Sequence, residues 1–144
     1  MAVETIEKNR TVDVIIPVYK PDAVFETLLE RLGKQNYPIR RIIIMNTEQS
    51  FWKEDIYETV PNLEVHHVTK NEFDHGGTRN QGASYSEADI MVFMTDDAIP
   101  ADRELIGALV KGLSQKGPLG EYVAAAYARQ LPNRDCAPAE KYTR

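Results

Sequence analysis

Ile90-Met91-Val92-Phe93-Met94-Thr95-Asp96-Asp97-Ala98-Ile99-Pro100 joins an apolar run to an acidic pair. Large apolar residues run directly into a threonine and two adjacent carboxylates, and Pro100 closes the run. A short apolar run rich in Ile, Val and Phe predicts a strand buried on both faces of a sheet. At the carboxyl end of such a strand the backbone leaves the core, which is where open α/β sheets hold their ligands. Asp96 and Asp97 repel each other there, so a cation should compensate them, and a divalent metal carrying a phosphorylated ligand meets that need. The plainer alternative for the same residues is a solvated turn with an aspartate cap before a helix.

Outward from this stretch the chain alternates between the two periodicities. Val12-Asp13-Val14-Ile15-Ile16-Pro17-Val18-Tyr19 is β-branched and punctuated by Pro17 and Pro21, which predicts a first strand, central in the sheet. Pro21 suits a first helical position, and Asp22 suits the positive end of a helix dipole. Val24, Phe25, Leu28, Leu29 and Leu32 then recur at helical spacing until Gly33, a C-terminal cap. Arg41-Ile42-Ile43-Ile44-Met45 predicts a second buried strand ending in the polar cluster Asn46-Thr47-Glu48. Trp52, Ile56 and Val60 are spaced for a short helix stopped by Pro61, and Leu63–Val68 alternates as a third strand. His66 and His67 are neighbours in that strand, so they point to opposite faces and cannot easily share one metal. After Pro100 comes an amphipathic helix with the stripe Leu105, Ile106, Leu109, Val110 and Leu113, ending before Gly117-Pro118. Tyr122–Tyr127 predicts a fifth strand, and Pro132 and Pro138 mark an irregular tail.

Such alternation specifies an α/β, Rossmann-like fold: a mostly parallel sheet with helices on both faces, here as a single domain over residues 1–144. Three clusters then converge on one edge, namely Pro17-Val18-Tyr19, Asn46-Thr47-Glu48 and Asp96-Asp97. The 42% of apolar residues suffice for a real core, while a net charge of −5 without a basic block argues against nucleic acid as a partner. Arg40-Arg41 is the densest basic spot and reads as a strand flank. The single cysteine, Cys136, permits no intrachain disulfide. No apolar run approaches the ~20 residues of a transmembrane segment. The expectation is a cytoplasmic protein, with attachment to the inner face of a membrane left open.

The glycine-rich segment nearly fits two phosphate-binding motifs. Gly77-Thr78-Arg79-Asn80-Gln81-Gly82-Ala83-Ser84 has P-loop glycine spacing, but Ala83 stands where the lysine must be. Glycines at 76, 77 and 82 also miss the dinucleotide fingerprint, so ATPase and Rossmann dehydrogenase chemistry are excluded. What remains is a flexible Gly76-Gly77 turn feeding a helix N-terminus, with Arg79 in the first turn as a fork for phosphate oxygens. A capped helix with a surface arginine is the alternative.

Four strings carry a resemblance: Ile15-Ile16-Pro17-Val18-Tyr19-Lys20-Pro21, Phe73-Asp74-His75-Gly76-Gly77-Thr78-Arg79-Asn80-Gln81-Gly82, Thr95-Asp96-Asp97-Ala98-Ile99-Pro100 and Ala128-Arg129-Gln130-Leu131-Pro132. Together they resemble the N-terminal, nucleotide-sugar-binding portion of a family-2 glycosyltransferase of the GT-A fold, in its rhamnosyltransferase-like subset. The resemblance implies inverting transfer of a sugar, such as rhamnose from dTDP-rhamnose, to a glycan or lipid-linked acceptor of a cell-surface polysaccharide. It further implies that Pro17, Tyr19 and Glu48 border the base and that Asp74, Gly77 and Arg79 approach the base and diphosphate. Asp96 would face the ribose, and Asp97 would coordinate Mg²⁺ or Mn²⁺. Thr95 replaces the first acid of the family's Asp-x-Asp motif, leaving one metal ligand. The family's chains are longer than 144 residues, with the acceptor part and catalytic base normally further along. Asp102, Asp135 and Glu140 do not match the base motif, so the catalytic residue is unknown. A truncated module that binds nucleotide and metal without transfer is the alternative function.

Overall fold

A computed structural model describes residues 10–58 and 60–131. Pro132, Asp135, Cys136, Pro138 and Glu140 lie outside the described residues. The chain divides into two compact units, Met1–Gly107 and Ala108–Arg144.

The first unit is built on a parallel four-stranded sheet of β1 (Val12–Tyr19), β2 (Arg41–Thr47), β3 (Leu63–Val68) and β4 (Ile90–Phe93), in the order β3-β2-β1-β4. Between the strands lie α1 (Ala23–Gly33), a 3₁₀ turn (Gln49–Phe51), α2 (Glu54–Tyr57) and α3 (His75–Ser84). The expected central place of β1 is what the sheet shows. Asp22, not Pro21, opens α1: its side chain accepts from the Val24 and Phe25 amides at 3.1 and 3.2 Å. Gly33 is the last helical residue and the cap falls on Lys34. The expected helix through Trp52, Ile56 and Val60 shrinks to the four residues of α2. Trp52 and Tyr57, not Ile56, are buried there, because both rings pack against Phe25 of α1.

Two faces of the sheet are covered by different helices. Ile15, Ile43, Met45 and Val68 form a cluster against Ala83 and Tyr85, which places α3 on that face. The opposite face, with Val14, Ile16, Ile42 and Ile44, is equally buried, and the buried stripe Phe25, Leu28, Leu29 and Leu32 of α1 remains to cover it. Gly82 sets the approach of α3. A Cβ on it would lie 2.7 Å from Ile15 Cγ2 and 3.2 Å from Met45 Cγ, so only a bare backbone reaches this close.

The expectation that β4 is buried on both faces is corrected. Met91 and Phe93 are 45% and 48% exposed, while Ile90 and Val92 are buried. Their register partners, Asp13 and Ile15, put Met91 and Phe93 on the α3 face, and α3 packs over β1 and β2 rather than over this edge strand. Pro17 also limits β4. The Ile15 carbonyl accepts from the Met94 amide at 3.0 Å; Pro17, two residues on, faces the same side with no N–H to extend the ladder, so pairing stops at Phe93.

At the amino end of β1 the carboxylate of Asp13 is fully buried. It accepts from Arg40 Nε and Nη2 at 3.1 and 2.6 Å and from Ser86 Oγ at 2.6 Å. Arg40 and Arg41 thus flank a strand as expected, Arg41 lying 3.4 Å from Glu64.

An amphipathic helix, α4 (Leu105–Ser114), runs from the first unit into the second. In the second unit the expected fifth strand is absent: residues 123–131 are irregular, and one antiparallel bridge joins Lys116 to Tyr122. Tyr122 and Tyr127 are 87% and 95% exposed. Three consecutive alanines offer little cross-strand packing to hold such a segment extended.

Candidate functional site at the carboxyl edge of the sheet

All four strands run the same way, so their carboxyl ends share one edge, and α3 begins there because it follows β3. Beyond Phe93 the chain turns back over the end of β1. The Tyr19 amide donates to Asp96 Oδ2 at 3.4 Å, Thr95 Oγ1 donates to Asp97 Oδ1 at 2.9 Å, and the Ala98 amide closes a turn onto the Thr95 carbonyl at 3.2 Å. Arg31 of α1 pins the far end by donating to the Pro100 carbonyl at 2.8 Å. Burial pushes the Asp96 carboxyl above the usual carboxylate range; the Tyr19 amide works against the rise, and the Asp97 charge adds to it. Asp97 is exposed, and its second oxygen is free of hydrogen bonds to described residues.

Glu48 follows the last residue of β2 and adopts φ 68°. Three bonds hold it: its amide donates to the Val68 carbonyl at 2.8 Å, Asn46 Nδ2 donates to its carbonyl at 3.2 Å, and its carboxylate accepts from the Lys70 amide at 2.6 Å. Tyr19 meets Phe51 edge to face, with centroids 6.0 Å apart. Lys20 Nζ stands 5.3 Å from the Tyr19 centroid, and Lys70 Nζ 5.7 Å from it.

The glycine-rich segment is not a flexible turn. Gly76 and Gly77 lie within the first turn of α3, and Asp74 is its cap, accepting from the Gly77 amide at 2.8 Å. A Cβ on Gly77 would lie 2.7 Å from Asp74 Oδ2, so a larger residue there would push the capping carboxylate aside. Thr78 Oγ1 accepts from the Asp74 amide at 3.2 Å, and Arg79 donates to the His75 carbonyl at 2.8 Å. The Gly77 amide is therefore already engaged, and the Arg79 fork is folded back along its own helix.

The structure brings Tyr19, Asp96 and Asp97 together directly and joins Glu48 to them through Lys70. Pro17 lies half-buried, one strand repeat below Tyr19. Asp74, Gly77 and Arg79 form a separate cluster at the same edge; among the described residues no hydrogen bond or ion pair links it to Asp96 or Asp97. Asp102 accepts from the Glu104 amide at 2.8 Å, in a turn before α4. His66 and His67 do face opposite ways: His66 stacks on Tyr85 with centroids 3.8 Å apart, and His67 Nδ1 lies 3.2 Å from Asn46 Nδ2. Among the described residues no three His, Cys, Asp or Glu side chains are grouped to hold a metal. Reading the sequence missed Lys20, Phe51 and Lys70. Phe51 and Lys70 are far from Tyr19 in the chain, and only the strand ends bring them to the ring that Lys20, its neighbour, also covers.

Comparison with known proteins follows the same lines. The model of the family described as Glycosyl transferase family 2 matches residues 13–139. O-antigen chain rhamnosyltransferase RfbN of Salmonella typhimurium is 33% identical over 141 residues, covering 92% of this chain and 41% of its own. O-antigen chain rhamnosyltransferase WbaN of Salmonella anatum is 30% identical over 133 residues, covering 91% and 40%. The chain thus spans about two fifths of the length of these relatives. Among solved structures, the mannosyltransferase PcManGT from Pyrobaculum calidifontis, in complex with GDP-Man and Mn²⁺, superposes with a TM-score of 0.61 at 23% identity over 74% of this chain and 33% of its own. S. aureus TarS 1-349 in complex with UDP-GlcNAc gives 0.55 at 22% identity over 72% and 32%. These likenesses give the sheet and its helices a GT-A fold, and by the family match and the rhamnosyltransferase relatives together, the chain belongs to glycosyl transferase family 2.

Proposed function

We propose that this chain forms the donor-binding portion of an inverting glycosyltransferase that moves a deoxysugar, rhamnose from dTDP-rhamnose, onto a glycan or lipid-linked acceptor of a cell-surface polysaccharide. The observation that carries the proposal is the Asp96-Asp97 pair folded back onto the Tyr19 amide at the carboxyl edge of a parallel sheet. The two relatives named as O-antigen chain rhamnosyltransferases support the choice of sugar. Such a donor is a cytoplasmic metabolite class, so we place the reaction in the cytoplasm at the inner face of the membrane; among the described residues no helix is long and apolar enough to cross it.

In this reading Pro17, Tyr19 and Glu48 border the nucleobase, Asp96 receives the ribose hydroxyls, and Asp74, Gly77 and Arg79 flank the diphosphate. The exposed Asp97 fits a hard cation that takes one carboxylate from the protein and the rest of its shell from phosphate and water, the habit of Mg²⁺ and Mn²⁺. When bound, that ion supplies charge neutralisation for the departing nucleoside diphosphate. Asp96 sits half-buried with its upper oxygen on a backbone amide, which orients the carboxylate before any ligand arrives. A second reading, nucleotide binding without transfer, is favoured by Asp102, whose carboxylate is engaged in a local turn by the Glu104 amide.

Calorimetry with dTDP and UDP, with and without Mn²⁺, tests the proposal. Asp97→Ala should abolish the metal-dependent part of binding, whereas Asp96→Ala should cost about 1–2 kcal/mol through a lost ribose hydrogen bond. Equal affinity with and without metal in the parent chain would remove the metal assignment. Incubation with radiolabelled nucleotide-sugar, Mn²⁺ and lipid-linked acceptors separates the two readings, since glycoside formation excludes the binding-only one.

A further inference from the structure

The ring of Tyr19 is already occupied. Lys20 Nζ lies 5.3 Å from its centroid and 5.4 Å from that of Phe51, so one ammonium serves both rings, and Lys70 Nζ lies 5.7 Å from Tyr19. Tyr19 and Phe51 are 40% and 39% exposed, so this aromatic pair is a surface that the two cations cover. Neither ammonium forms an ion pair with a described residue; the nearby Glu48 carboxylate is held by the main-chain N–H of Lys70 instead. Lys20 also holds φ 52°, a left-handed conformation unusual for a lysine, directly after the strand residue whose amide binds Asp96.

A cation over an exposed ring is a weak partner, whereas an ammonium on a phosphate oxygen forms a shorter, charge-assisted bond. We infer that Lys20, seconded by Lys70, is a phosphate-responsive cover on the Tyr19–Phe51 platform. Without ligand the ammonium rests on the rings. When a nucleoside diphosphate arrives, the ammonium exchanges ring for phosphate oxygen, and the uncovered Tyr19 face takes the base. This inference rests on the reading of the edge as a nucleotide site, and it adds a coupling within that site. A bare nucleoside must displace the ammonium with nothing to receive it, while a diphosphate supplies the receiver. Phosphate therefore strengthens base stacking beyond its own contacts.

The test is calorimetry of the full chain with dTDP, thymidine and inorganic pyrophosphate in the presence of Mn²⁺, for the parent and for Lys20→Gly, Lys20→Arg and Lys70→Ala. Glycine is the informative replacement, because it accepts the positive φ at position 20 while removing both cover and charge. Lys20→Gly should weaken dTDP about tenfold, as for one hydrogen bond to a charged group, and tighten thymidine, whose ring platform is then uncovered. Lys20→Arg should restore dTDP, and Lys70→Ala should show the Lys20→Gly pattern at smaller amplitude. Thymidine affinity that fails to rise in Lys20→Gly, or no loss for dTDP, overturns the inference while leaving the nucleotide site standing. A parent chain that binds neither dTDP nor UDP overturns the site and the inference together.

Discussion

Lys20 and Glu48 are the described non-glycine residues at positive φ, 52° and 68°, and each follows the last residue of a central strand. Conformations of this kind cost of order 1–3 kcal/mol and persist where the surroundings over-determine them. At Glu48 the three bonds to Val68, Asn46 and Lys70 do so. The opposite end of the sheet has the reverse character, with polar groups relaxed and paired. There Asp89 Oδ2 accepts from the Thr11 amide at 2.9 Å and from its hydroxyl at 3.2 Å, tying the starts of β1 and β4. The Thr11 amide, and then its hydroxyl, hold the Asp89 carboxyl below its ordinary value of 3.8. The folded state therefore grips the carboxylate more tightly than the unfolded state does. Its contribution is fully present above the ordinary value and is lost as pH falls through the lowered folded value. Asp89→Ala should lower the denaturation midpoint at pH 7, and the deficit should narrow in acid below about 3.8. A deficit that stays constant between pH 7 and pH 3 would mean that charge plays no part in the pairing.

Among the elements, α3 was the hardest to read from sequence. Its Gly76-Gly77 pair reads as a turn feeding the helix, yet that pair lies inside the helix, and two of its glycines do opposite work there. A Cβ on Gly76 would meet nothing within 4 Å, whereas a Cβ on Gly82 would collide with Ile15 and Met45. Gly76→Ala should therefore stabilise the chain by roughly 0.5–1 kcal/mol through helix propensity. Gly82→Ala should destabilise it by about 1–3 kcal/mol through overpacking, despite the same propensity gain. Urea denaturation of the two variants checks this, and a stabilised Gly82→Ala would show that the helix has room to lift. β1, β3 and α1 were legible because composition and periodicity write them locally: Val12–Tyr19 falls on the β-branched run, and Leu63–Val68 on the alternating one. The cap at Asp74, three residues before Gly77, was a signal that the glycines obscured. Tyr122–Tyr127 looked like a strand in isolation, but a strand exists only beside a partner edge, and nothing local tells whether one is offered. For the same reason the candidate site was half legible. The placing of Asp96-Asp97 just beyond a strand's carboxyl end was legible in a short motif, while the Lys20–Phe51–Lys70 grouping depended on tertiary approach.

At the scale of the molecule, burial is uneven across the sheet. β1 is buried on both faces from Val12 to Ile16, while β4 carries Met91 and Phe93 half in solvent. Phe93→Ser should accordingly cost less than about 1 kcal/mol, and Ile15→Ala, its register partner with no exposure, about 2–5 kcal/mol. Equal losses in thermal or urea unfolding would mean that the edge strand is covered in solution. The register of β1 with β4 also has a bearing on how the molecule comes to be made. Val12 pairs with Ile90 and Ile15 with Phe93, so β1 receives its second neighbour only after almost eighty further residues have been added. Nascent β1 can dock on β2 early, but its other edge, a row of backbone N–H and C=O groups, stays unpaired until β4 arrives. Pairings so distant in sequence form slowly, and a parallel strand left waiting is adhesive. The assembly of this sheet is thus timed by the arrival of a four-residue strand, and the turn that carries Asp96 and Asp97 is among the last parts of it to find its place.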